Sequence, residues 1–161
     1  WGKEASVDSI LKGLEACMGL GYTLFVIEQK GDDGSCLAFL KRLEKDYPKH
    51  CKMLEDNDIN QEWVLRNAQV LLIPHSPSKK ELAVAQHNKL VPLTVQNPYL
   101  RNFNPAKETG EGFLFEAGNT WDFVRAVVRA AENKQFSYDW GNLKKALGQV
   151  SLGVGRNQYR V

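Results

Sequence analysis

Apolar residues recur along this chain in two alternating rhythms. Tyr22–Ile27 (YTLFVI), rich in aromatic and β-branched residues, and Gly112–Ala117 (GFLFEA) read as strands, and short, nearly continuous apolar runs bounded by turn residues stand at Val70–Ile73 (VLLI) and Leu90–Val95 (LVPLTV). Those last two runs have the pattern of strands covered on both faces. Between them the spacing changes to i, i+3, i+4. Val7, Ile10, Leu11, Leu14, Cys17 and Met18 predict an amphipathic helix over Ser6–Leu20, ended by Gly19 and Gly21. Leu37, Leu40, Leu43 and Tyr47 predict a second, from a Ser35 cap to Asp46, with Pro48 stopping it. Phe123, Val124, Val127, Val128 and Ala131 predict another, from a Thr120 cap to about Asn133.

Weaker signals fill the rest. His50–Leu54 reads as a short strand, Lys79–Asn88 as a helix and Trp140–Leu147 as a last helix. Asn60–Asn67 reads as a short helix with Trp63, Val64 and Ala68 as its buried face. Gln96–Gly112, with Pro98, Pro105 and Gly110, reads as a long irregular connection. Two covered strands joined by one helix, Val70–Val95, form a βαβ unit, which demands a parallel sheet and a right-handed crossover. Alternating strands and helices therefore predict one α/β domain over 1–150, flavodoxin-like. Its five-stranded parallel sheet would have helices on both faces, strand order 2-1-3-4-5, and extra helices at each end. The core would run from about 22 to 133, and 151–161 would be a loosely held tail.

Composition narrows the class of protein. At 161 residues the chain can bury a proper core. Its net charge of +2 gives no bulk electrostatic pull toward nucleic acid or a membrane surface, so neither is an expected partner. No apolar run approaches the ~20 residues of a membrane helix. Cys17, Cys36 and Cys51 are odd in number and lack metal-ligand spacing, which fits free thiols in a reducing, cytoplasmic setting and no metal site. A start at Trp1 without a signal-peptide pattern suggests a piece of a longer protein with other domains.

Candidate chemistry gathers at the carboxyl edge of the strands, where open parallel sheets bind ligands. Glu81 sits in the first turn of the Lys79–Asn88 helix. Ser78-Lys79-Lys80-Glu81 fits a capping box, in which the glutamate bonds back to the Ser78 N–H. The same carboxylate could face a bound sugar. Cleaving an N-glycosidic bond builds positive charge at the anomeric carbon, which a fixed carboxylate stabilises. Gly31-Asp32-Asp33-Gly34-Ser35 links a strand to a helix N-terminus. It matches no Walker or dinucleotide fingerprint, but its acids could bind ribose hydroxyls, or it could be an ordinary solvated turn. His75 and Ser76 end the third strand close to Glu81, without the elbow or third partner of a nucleophilic triad. Trp63 reads as core and Trp121 as helix-end packing.

From Tyr22 to Asn133 the order of elements resembles a Toll/interleukin receptor (TIR) domain. The most specific stretch is NAQVLLIPHSPSKKELAVAQHNKLVPLTV, similar to the TIR segment in which a strand ends in a Ser-Pro turn, a helix bears Glu, and K-x-V-P opens the next strand. Leu54–Ile59 (LEDNDI) falls where that family has its BB loop. The chain carries TLFVIEQ in place of the usual first box, no Arg-Asp-x-x-Pro-Gly in the BB loop, and TWDF in place of the Phe-Trp box. The resemblance implies a catalytic role for Glu81 in cleaving the nicotinamide bond of NAD, by hydrolysis or cyclisation, in innate-immune or cell-death signalling. NAD would be substrate, with no permanently bound cofactor. Glu28, Asp32, Asp33, Gly34, His75 and Ser76 would contact it, and a homo-oligomer would form on activation. A TIR-like module that only docks other proteins is the alternative. Glu81-Leu-Ala-Val-Ala85 also resembles the E-x-x-x-A context of nucleoside deoxyribosyltransferase-like domains, which act on the same type of bond.

Overall fold

The computed structural model of this chain describes residues 4–28, 31 and 34–153. In order these form α1 (Glu4–Cys17), β1 (Leu24–Glu28), α2 (Gly34–Asp46), β2 (Cys51–Glu55), α3 (Asp58–Asn67), β3 (Val70–Ile73) and α4 (Lys79–Asn88). Then come β4 (Val91–Val95), a single 3-10 turn at Pro105–Lys107, β5 (Phe113–Phe115), α5 (Thr120–Lys134) and α6 (Ser137–Gly148). The α/β alternation and the parallel pairing are as the pattern predicts.

The expected five-stranded sheet is not formed. β1 and β2 pair in parallel, Leu24 opposite Cys51 through Glu28 opposite Glu55. β3, β4 and β5 make a separate parallel sheet, with Val70 opposite Val91 and Leu93 opposite Phe113. An apolar run reports that a strand is covered; it does not name the neighbour. β4 is buried at all five positions, as the centre of a sheet requires. β1 is half-exposed throughout, and so are the first three residues of β3. Side-chain packing joins the halves instead of a ladder: Leu24 and Val26 from β1 and Val70 and Leu72 from β3 press on one shared cluster.

The terminal helices belong to that cluster. Ile10, Leu11, Leu14 and Cys17 of α1 and Trp140 and Leu143 of α6 are buried with Phe113, Phe115 and Phe123. Phe115 meets Phe123 edge to face, ring centroids 5.1 Å apart. Each buried ring contributes about 1.5–3 kcal/mol. α1 approaches α5 so closely that a Cβ at Gly13 would lie 2.4 Å from the Phe123 ring. Leu152 is buried in a second cluster with Ile73, Leu82, Leu100, Leu114 and Leu147; of the expected tail, 154–161 lies outside the described residues.

Three local expectations are corrected. Asn119, not Thr120, caps α5, its side chain accepting from the Asp122 N–H at 3.0 Å. α3 has no buried residue: Trp63 is 47% exposed and meets Phe25 edge to face at 5.1 Å. Trp121 is 82% exposed. A large ring is apolar wherever it stands, and period alone does not provide something for it to pack against.

Candidate functional site

β3 ends at Ile73 and delivers His75, Ser76 and Ser78 into the turn before α4. Ser78 has the extended backbone of a helix cap, and the capping box is formed in both directions. The Glu81 N–H donates to Ser78 Oγ at 3.2 Å, and the Ser78 N–H and hydroxyl donate to Glu81 Oε2 at 2.8 and 2.7 Å. These bonds satisfy two helix-end donors and fix the carboxylate rotamer.

The other oxygen is engaged from across the turn. Glu81 Oε1 lies 3.2 Å from His75 Nε2, the side chains 32% and 37% exposed respectively. His75 Nδ1 lies 3.1 Å from the Ser76 carbonyl oxygen. Both partners of the ring are acceptors, so it satisfies both at once when doubly protonated. The buried Thr94 of β4 donates its hydroxyl to the His75 carbonyl at 3.3 Å, tying the turn to the central strand. Nothing in the spacing of the sequence marks Thr94 for this role.

The structure thus brings together Glu81, His75 and Ser76, with Ser78 and Thr94 as supports. Glu28 ends β1 on the other sheet, and its carboxylate lies 4.0 Å from Lys41 Nζ. Gly34 is exposed at the start of α2, with open space around a would-be Cβ. Asp32 and Asp33 lie outside the described residues. In the Leu54–Ile59 turn, Asn57 caps α3 by accepting from the Asn60 N–H at 2.8 Å.

Two open hollows on the described surface lie away from Glu81 and His75. One, of about 280 Å³, lies between Tyr22 and the end of α5. The other, of about 600 Å³, lies at the amino edge of β3 and β4. Among the described residues there is no cluster of three or more metal-ligating side chains. No helix there is long and apolar enough to cross a membrane.

A buried carboxylate that the sequence reading missed orders the long connection. Glu111, its side chain 7% exposed, accepts from Arg101 N, Nε and Nη2 at 2.7, 3.1 and 2.6 Å. Its contact raises the pKa of the Arg101 guanidinium. Its partners are structural, the backbone and guanidinium of Arg101.

Fold and site together define an α/β protein with parallel strands, whose carboxyl edge presents a fixed, half-open Glu–His pair. Against known protein families the chain matches no family model, and no curated protein matches it.

Proposed function

We propose that this chain cleaves the N-glycosidic bond between nicotinamide and ribose in NAD, with Glu81 stabilising the oxocarbenium that forms. One observation carries the reading: the Glu81 carboxylate is locked by Ser78, paired with His75 and still open to solvent at the sheet edge. The bond from C1′ to the pyridinium nitrogen breaks, and its electron pair leaves with neutral nicotinamide. The carboxylate offsets the positive charge left on the ribose. Water adds to C1′, and its proton passes to His75 when the ring enters the step neutral. Attack by the substrate's own adenine in place of water would give a cyclic product.

A site open on one side fits assembly, because a neighbouring copy can supply the missing wall. The TIR-like order of elements supports the same reading, with signalling triggered by self-association. The test is nicotinamide release by the purified chain, dilute and concentrated on a crowding surface, for wild type and Glu81→Gln. Removing one preorganised electrostatic group costs about a hundred- to a thousandfold in rate, and that loss is the expected result.

A second reading, a docking module without turnover, is favoured by α3. Ile59 is 80% exposed, and Trp63, one helical turn further, shares its face. Absence of turnover by wild type under enforced assembly selects this reading over catalysis.

A further inference from the structure

At the edge opposite Glu81, the 600 Å³ hollow is lined by Arg66, Lys89, Lys134 and Lys144, and no carboxylate forms part of its wall. It lies between the turns that enter β3 and β4, with α6 closing one side through Trp140. β3 separates it from the Glu81 turn by four residues at about 3.3 Å each, about 13 Å.

Helix ends account for part of this charge. Arg66 and Lys134 lie in the last turns of α3 and α5, and Lys89 caps α4, where cations offset the helix dipole. Two facts exceed that explanation. Lys144 is inside α6, a turn before its end, and still faces the hollow. Lys89 takes φ of 55°, a left-handed position that favours glycine or asparagine, so its backbone does not call for lysine. Arg66 is already bridged to Glu62, but none of the three lysines is ion-paired among the described residues. Three lysines without an ion-pair partner among the described residues line one hollow, and their like charges favour an anion there. Ammonium groups hold phosphate as point charges, and Asn67, Asn88 and Ser137 add neutral polar side chains to the same wall.

We propose that this hollow binds a chain of phosphates, either free inorganic polyphosphate or the triphosphate of a nucleotide. The binding is independent of the Glu81 site. The test is calorimetric titration of the 161-residue chain with inorganic tripolyphosphate and, separately, with ATP at low salt. Saturable binding that weakens as salt rises is expected. The double variant Lys89→Gln/Lys144→Gln loses about tenfold in affinity, while Lys107→Gln, on the 3-10 turn, and Glu81→Gln bind as wild type does. Equal binding of both probes assigns the site to the phosphate chain alone; binding of ATP only assigns it to a nucleotide. The proposal is overturned if neither probe binds, or if the double variant binds as wild type does. Lys134→Gln, at an exposed position, is the second variant should the double variant unfold.

Discussion

Replacing Glu81 with alanine removes two acceptor contacts, to the Ser78 N–H and hydroxyl at 2.8 and 2.7 Å, and the 3.2 Å approach to His75. The reciprocal bond, Glu81 N–H to Ser78 Oγ, uses the backbone and survives. Loss of a cap partner costs about 1 kcal/mol. The pair with His75 is about one-third exposed on each side, and screening limits it to roughly 0.5 kcal/mol. Removing a negative charge from the first turn of α4 adds a few tenths of a kcal/mol. Glu81→Ala therefore destabilises by about 1–2 kcal/mol. At about 2–4 °C per kcal/mol for a domain of this size, the thermal midpoint falls by roughly 2–8 °C. Glu81→Gln keeps an oxygen for the Ser78 N–H, as glutamine does in other capping boxes, and loses only about 0.5–1 kcal/mol. Urea unfolding followed by circular dichroism measures both. An unchanged Glu81→Ala would refute the cap; a loss above about 4 kcal/mol would mean the side chain supports a core it does not touch. Once the two values are known, lost turnover in Glu81→Gln can be read as chemistry and not as unfolding.

Gly110 has φ of 103°, and a Cβ there would lie 2.5 Å from both Asn102 O and Phe103 Cα. Gly118 has φ of 79° with nothing within 4 Å. Gly118→Ala costs about 1–2 kcal/mol of backbone strain, and Gly110→Ala at least about 2 kcal/mol more; equal urea midpoints would refute the steric account. In the alkaline range, burial pushes the Cys17 thiol up to about 11, and burial together with Cys17 pushes the Tyr22 phenol up to about 12. Both groups keep their protons longer folded than unfolded, so stability is intact below about pH 9 and falls as pH rises through 11 and 12. Tyr22→Phe loses the 3.0 Å hydrogen bond to Val127 O at neutral pH and flattens the fall above pH 10. A stability curve as steep as wild type's would sink that assignment.

The best-read part of the chain was the one with punctuation on both sides. β3 and α4 have the predicted bounds, because Pro74 to Pro77 interrupts the apolar run and Ser78 with Glu81 marks the helix start. Periodicity failed where burial depends on a distant partner. α3 carries Trp63 and Val64 at helical spacing, yet Trp63 meets the edge of Phe25 while staying 47% exposed, and no residue of the helix is fully buried. The break between β1 and β3 has the same origin, since pairing is settled between strands and each strand's own residues encode only cover. Polar ties were invisible for a different reason. Gln86 Nε2 donates to Leu147 O and Val150 O at 2.9 and 2.8 Å, clamping α4 to the end of α6, and Glu111 organises a loop that reads as irregular. A lone amide or acid has no periodic signature. Of the candidate site, Glu81 and its cap could be read because a capping box is a four-residue pattern, whereas the support from Thr94 joins residues nineteen apart.

A parallel α/β layout sorts charge by itself. Helix N-termini favour acids and helix C-termini favour bases, and parallel strands send the two kinds of end to opposite edges. Here that places Glu81 at the carboxyl edge and Arg66, Lys89 and Lys134 at the amino edge. Glu81, Arg66 and Lys134 therefore have a structural reason to be where they are, and their identity alone separates nothing; Lys89 shares that reason, but its left-handed backbone does not call for lysine. His75 precedes its helix, and Lys144 stands before the last turn of its own, so the helix-end rule requires neither. These are the residues on which function separates from architecture. His75→Asn leaves the Ser78–Glu81 box in place and shifts the thermal midpoint by no more than about 2 °C. It lowers nicotinamide release at least tenfold if the ring takes the proton of the attacking water. A variant with wild-type turnover would reduce His75 to a surface partner of the cap.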